Sequence, residues 1–350
     1  MSGRRASAAR KLTPVLAGLV AIAGCSPAPV QQPATPSAAV TMTVSPSPVE
    51  LDRPTLPTIQ AMPDAGGVGI DATKDADWTL VAYGRAWVTG LGRGIGIYDA
   101  RTGRALGSVA EPNGPCAAMD EGFDAVWTAT CKPGGISRID PAQAQLTGHI
   151  PLPMTSDGES SIGVGEGAVW ALIDGSGCDA CAVARIDPGT LEVTNRYPVP
   201  PGASAVRAGL GGVWITYFGD NSVVRLDPAT GSMVATIAVA AGPRFFDVGA
   251  GAVWVMAQTA GALCRIDPAD NQLAGCTMID PGGVNGGDLT IGDGYVWFRG
   301  TRQLVAQVDP AGRVVRRIGP GQGSGSASAG SGQLWISAHD VAKLYRVPVN

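Results

Sequence analysis

The chain has 350 residues, of which 45% are hydrophobic and 15% charged, with 50 glycines and a formal net charge of -4. That much apolar side chain can fill a sizeable core, and a weakly acidic chain without a basic stripe argues against a nucleic-acid binder. Abundant glycine with sparse charge fits many short strands joined by tight turns.

Residues 1–24 read as an export signal. Arg4, Arg5, Arg10 and Lys11 give a positive start, and Leu12 to Ala23 is an apolar run too short to span a bilayer. The run ends in Ile22-Ala23-Gly24-Cys25, which resembles the lipobox of bacterial lipoproteins. The resemblance implies a lipid on Cys25, and with it a membrane-anchored protein on the extracytoplasmic side, periplasmic or extracellular. Residues 25–63 are rich in Pro, Ala, Ser and Thr with hardly any charge. No pattern there buries a core, so a semi-extended tether is expected, with the folded body over 64–350.

The body is built on a repeat. Gly-x-Gly-x-x-Trp, with one exception in each glycine column (Ala82 and Asp124), recurs at Trp87, Trp127, Trp170, Trp214, Trp254, Trp297 and Trp335, at spacings of 40, 43, 44, 40, 43 and 38 residues. A second phrase follows most of them, as in Arg138-Ile139-Asp140-Pro141 and Arg225-Leu226-Asp227-Pro228. Each unit parses into four short strands with a turn at the Asp-Pro. Four strands on a period near 40 predict an all-β, seven-bladed β-propeller. The last unit lacks a fourth strand. The segment Gly67 to Thr73 is the natural donor, closing the ring with an N-terminal strand and leaving no open edge.

Two glycine columns stand three and five residues before the tryptophans, and the turn between first and second strands accounts for them. Six cysteines follow Cys25 in three local pairs. An even set in an exported chain predicts the disulfides Cys116–Cys131, Cys178–Cys181 and Cys264–Cys276. Cys178-x-x-Cys181 lacks the helix of a redox motif and reads as a loop staple.

Strand alternation names the channel lining. Seven and nine residues before each Trp the columns turn polar. They give Asp120, Arg207, Asp247 and Asp288, with Trp78 and Phe245 among them. This set reads either as a solvated channel with compensating charges or as a site for a polar ligand or divalent cation. At the mouth, loop residues include Glu159, Arg244, Arg299 and His339. Arg244 beside Phe245 is the strongest contact candidate. No catalytic triad or zinc spacing can be assembled, and no organic cofactor is expected.

The phrases Gly-x-Gly-Ala-Val-Trp-Val and Ile-Asp-Pro-x-Thr-Gly resemble those of YncE-type and virginiamycin B lyase-like propellers, over roughly Gly66 to Asn350. The lyase branch implies a Mg-dependent elimination that opens a cyclic depsipeptide, using His and Glu near the channel mouth. Its repeats often read Trp-Phe-Thr-Glu, whereas here the phrases are Trp87-Val88-Thr89-Gly90 and Trp214-Ile215-Thr216-Tyr217. Of two histidines, His149 falls on an outer strand and only His339 can reach the mouth. The expectation is therefore a non-catalytic binding scaffold for an envelope protein, peptide or glycan, with the lyase as alternative.

Overall fold

The computed structural model describes residues 49–349 apart from 74, 91–93, 155–158, 160 and 174–180. The signal, Cys25 and the tether up to residue 48 lie outside the described residues, as do Cys178 and the Cys116 side chain. Seven sheets follow one another along the chain. Their first strands are Thr79–Ala82, Pro115–Gly122, Ile162–Gly165, Ala203–Gly209, Pro243–Gly249, Asp288–Gly292 and Ala327–Gly330. Blade 4 shows the unit: Ala203–Gly209, Gly212–Tyr217, Ser222–Leu226 and Met233–Ala238, each antiparallel to the next.

The repeated residues each have a local cause. At Leu210-Gly211 both turn residues have positive φ, 52° and 74°, which is the twist a two-residue hairpin turn needs. The earlier glycine column does a different job from the one expected of it. A Cβ on Gly165 would stand 2.7 Å from the Ala208 carbonyl oxygen, so glycine there lets two blades approach. All seven repeat tryptophans are buried. The arginine of the second phrase lies over the tryptophan of its own blade, as Arg225 does at 4.9 Å from the Trp214 centroid. The aspartate folds the turn: Asp227 Oδ1 accepts the amides of Ala229 and Thr230.

The ring closes as the sequence predicts. Val68–Asp71 pairs antiparallel with Lys343–Pro348 and becomes the fourth strand of blade 7. Trp335 Nε1 donates to the Ala100 carbonyl, tying blade 7 to blade 1.

The segment before it differs from a free tether. Ile59–Ala61 lies parallel to Val314–Gly319 as a fifth strand on blade 6. Further back, the Asp52 amide donates to the Cys276 carbonyl and the Asp52 carbonyl accepts from Met278, on the outer strand of blade 5. An outer strand leaves a row of backbone groups open, and an extended proline-spaced chain supplies partners from its remaining amides and carbonyls. The folded body thus includes residues upstream of 64.

Cys264 and Cys276 form a disulfide between directly opposed positions on the third and fourth strands of blade 5, as predicted. Cys131 and Cys181 are disulfide-bonded as well. Their expected partners are the two cysteine side chains outside the described residues.

Candidate functional site

The first strands of neighbouring blades splay apart and share no hydrogen-bonded ladder. Their channel-side amides therefore need other partners. The polar columns provide them. Asp120 accepts from Val164 of blade 3, Asp247 from Ile291 of blade 6, and Asp288 from Ala327 of blade 7, at 2.8, 2.8 and 3.1 Å. Ser326 and Ser328 accept from Thr79 and Val81 of blade 1. Arg207 works in the opposite sense, donating to the Ile162 carbonyl of blade 3 at 2.7 Å. Each side chain clasps one blade to the next.

These residues surround a cavity of about 250 Å³. Burial is the largest influence on its carboxylates. It pushes Asp120 up to about 6 and Asp288 up to about 7 and raises Asp247, against the pull of Arg207 and of the bonded amides. A carboxyl that holds its proton more tightly when folded contributes stability below the unfolded value near 3.9, and that contribution is lost as pH rises through 6 to 7. The turn aspartates act oppositely. Backbone and Thr hydroxyl hydrogen bonds hold Asp187 and Asp227 below their usual range, so they cost stability only in stronger acid. The thermal midpoint is expected to rise as pH falls from 8 to 5. Asp288→Asn, which keeps one acceptor oxygen, is expected to flatten that rise; an unchanged slope in a scanning-calorimetry series would refute the assignment.

Above the channel, two rings meet across the axis. Trp78 of blade 1 and Phe245 of blade 5 have centroids 6.0 Å apart, and their blades are not neighbours. Both side chains are buried, at 5% and 3% exposure. Trp78 lines the channel cavity and also a second cavity of about 240 Å³ at the mouth. The pair forms a floor between the two.

The mouth is walled by loops that enter first strands or join second to third strands. Arg244 reaches Glu159 at 2.6 Å and lies 5.3 Å from the Phe245 centroid. Asp77 lines the same cavity with Phe218, Gln258 and Ser324. His339 stands beside it, with Nδ1 2.9 Å from Asp340 and Nε2 3.8 Å from Asp77. Burial raises the Asp77 carboxyl above its usual range; His339 opposes this, and Glu159 and Asp340 add to it. The structure thus gathers Trp78, Phe245, Arg244, Glu159 and His339 at one mouth. Asp77, missed in the sequence, completes the group. One signal was available: Asp77 stands ten residues before Trp87, as Arg244 stands ten before Trp254.

One expected site residue lies elsewhere. Arg299 is fully buried, and its guanidinium donates to the carbonyls of Gln322, Gly323, Gly300, Leu304 and Ser337. It pins loops of blades 6 and 7 together. His149 sits on the outer strand Gln145–Pro151, 3.1 Å from the Ser137 hydroxyl.

The resemblance to the lyase branch implies a Mg ion near the mouth. Among the described residues no group of three or more His, Cys, Asp or Glu side chains is arranged to hold a metal ion. Each channel carboxylate also has both oxygens bonded to backbone amides, as with Asp288 on Leu289 and Ala327. The donor set does not fit that ion.

No family model matches the chain, and no curated protein matches it in sequence. Solved structures do. The chain is similar to a chain of Kuenenia stuttgartiensis hydrazine synthase, at a TM-score of 0.63 and 15% identity, over 80% of this chain and 97% of that one. It is also similar to BamB from Moraxella catarrhalis, at 0.52 and 13%, over 77% and 81%. Likeness at such identities speaks for fold alone. The chain is a seven-bladed β-propeller of four-stranded blades, closed by its own N-terminal strand.

Proposed function

We propose that this protein is an exported scaffold, lipid-anchored through Cys25, that binds a partner at the envelope through its channel mouth without catalysing a reaction. One observation carries the reading. The mouth cavity has a buried aromatic floor, Trp78 and Phe245, beneath a polar and charged wall. Concave sites with an apolar base and a few convergent polar groups are the usual form of a binding site. The resemblance of the Cys25 segment to a lipobox supplies the location. An envelope protein, a peptide or a glycan would each present the mixed surface such a wall accepts.

The test is capture from envelope extracts on the purified protein. Wild type is expected to retain a partner that Phe245→Ala loses, while a substitution on the opposite face, Leu210→Ser, keeps it. In the cell, Cys25→Ser is expected to move the protein from the membrane to the soluble fraction. Equal capture by wild type and Phe245→Ala would place the partner elsewhere and end the proposal.

A further inference from the structure

The mouth has a charge imbalance that narrows what it can bind. Among the described residues Asp77 and Glu159 line it, and Asp340 stands behind His339 and the Ser324 amide. Among the described residues one arginine faces them, Arg244, which already engages Glu159 and the Phe245 ring. Gln258 adds a second, independent feature. It is nine-tenths buried, at 9% exposure, and lines the cavity. Its Nε2 donates to the Gly286 carbonyl, which fixes the amide with its carbonyl oxygen as the remaining group. That Oε1 accepts no hydrogen bond from any described residue. It is not among the fully buried atoms that lack a partner, so it stays open to water or to a ligand that donates.

We infer that the mouth takes a cationic nitrogen group on an apolar stem, an ammonium or guanidinium, with its head facing Asp77 and the Gln258 carbonyl and its stem against the aromatic side chains. Such a group carries several N–H donors and no acceptor, the complement of the wall. Aromatic rings add attraction for it, and the Arg244 guanidinium, held between a carboxylate and a ring face, shows that the mouth accommodates this chemistry. A small free amine and a basic side chain on a partner carry the same head group. The inference rests on the reading of the mouth as the binding site.

Isothermal titration of the purified protein separates the cases. The probes are butylguanidinium, butylammonium, butyramide and butyrate, and heptapeptides carrying one central Arg, Gln or Glu. The cationic probes are expected to bind and the neutral and anionic ones not. Binding by the Arg peptide alone assigns the head group to a partner's side chain, and binding by the small cations alone assigns it to a free amine. Asp77→Asn is expected to weaken binding about fivefold, the size of one lost charge pair, and Asp340→Asn repeats the measurement if the first variant folds poorly. Unchanged affinity in both folded variants overturns the inference. If neutral or anionic probes bind as well as cationic ones, and Phe245→Ala abolishes that binding, the cationic class falls and the binding site stands. If no probe of any charge binds, both fall.

Discussion

Deleting residues 49–71 is expected to abolish the cooperative unfolding transition. The deletion removes the fourth strand of blade 7 and bares the edge of Lys343–Pro348, whose Leu344 and Val347 are buried. Ile70 goes with it, out of the apolar cluster that holds Val81, Trp335 and Leu344 at the seam between blades 7 and 1. The remaining six blades each keep four strands, but the ring loses the segment through which its two ends grip one another. An exposed strand edge invites pairing with other chains. Circular dichroism and size-exclusion chromatography should then show a broadened melt and association. A second deletion, of residues 49–57 alone, removes the contacts on blade 5 and spares the closing strand. Its melt is expected to stay cooperative with a lower midpoint. A sharp transition in the longer deletion would show that the closing strand is dispensable.

Arg299→Met is expected to cost about 3 kcal/mol or more, because buried carbonyls lose their donor and each such loss costs about 1–3 kcal/mol. Methionine matches the stem and removes only the guanidinium. The carbonyls of Gln322 and Gly323 lie in the loop that enters the first strand of blade 7. Burial also pulls the Arg299 guanidinium down to about 10, so its charge is held at a desolvation cost that the carbonyls offset. Urea unfolding measures the loss directly. Arg313→Met, at a side chain 79% exposed, serves as the comparison and is expected to change little. Equal effects at the two positions would remove the structural role given to Arg299.

The contrast between these two arginines shows what the sequence could carry. Seven tryptophans, two glycine columns and an unmatched final unit were enough for blade number, strand order and ring closure. Those features repeat, and repetition averages away local accident. The docked segment was not legible. Pro54 and Pro57 suppress any strand pattern, and Ile59–Ala61 is held by the open backbone of blade 6 and by Arg316, which donates to Gln60. Arg299 looked like a loop charge because the five carbonyls around it come from parts of the chain up to 38 residues away. The channel column is polar in the sequence, and the linear pattern alone hides its purpose. Asp120, Asp247 and Asp288 answer to amides of the next blade, which a linear pattern does not reveal. At the mouth, Trp78 and Phe245 were both assigned to the axis. That they meet depends on ring curvature, which brings blades 1 and 5 face to face.

The stretch that runs along blades 5 and 6 also has a mechanical meaning. Load arriving through the chain from before Val49 meets first the bonds of Asp52 and then the parallel pairing of Ile59–Ala61, before it reaches the closing strand. A pull along these segments shears several hydrogen bonds together instead of unzipping them singly. The rim of the disc would therefore take up any force on the chain before Val49 ahead of the seam that holds the ring shut.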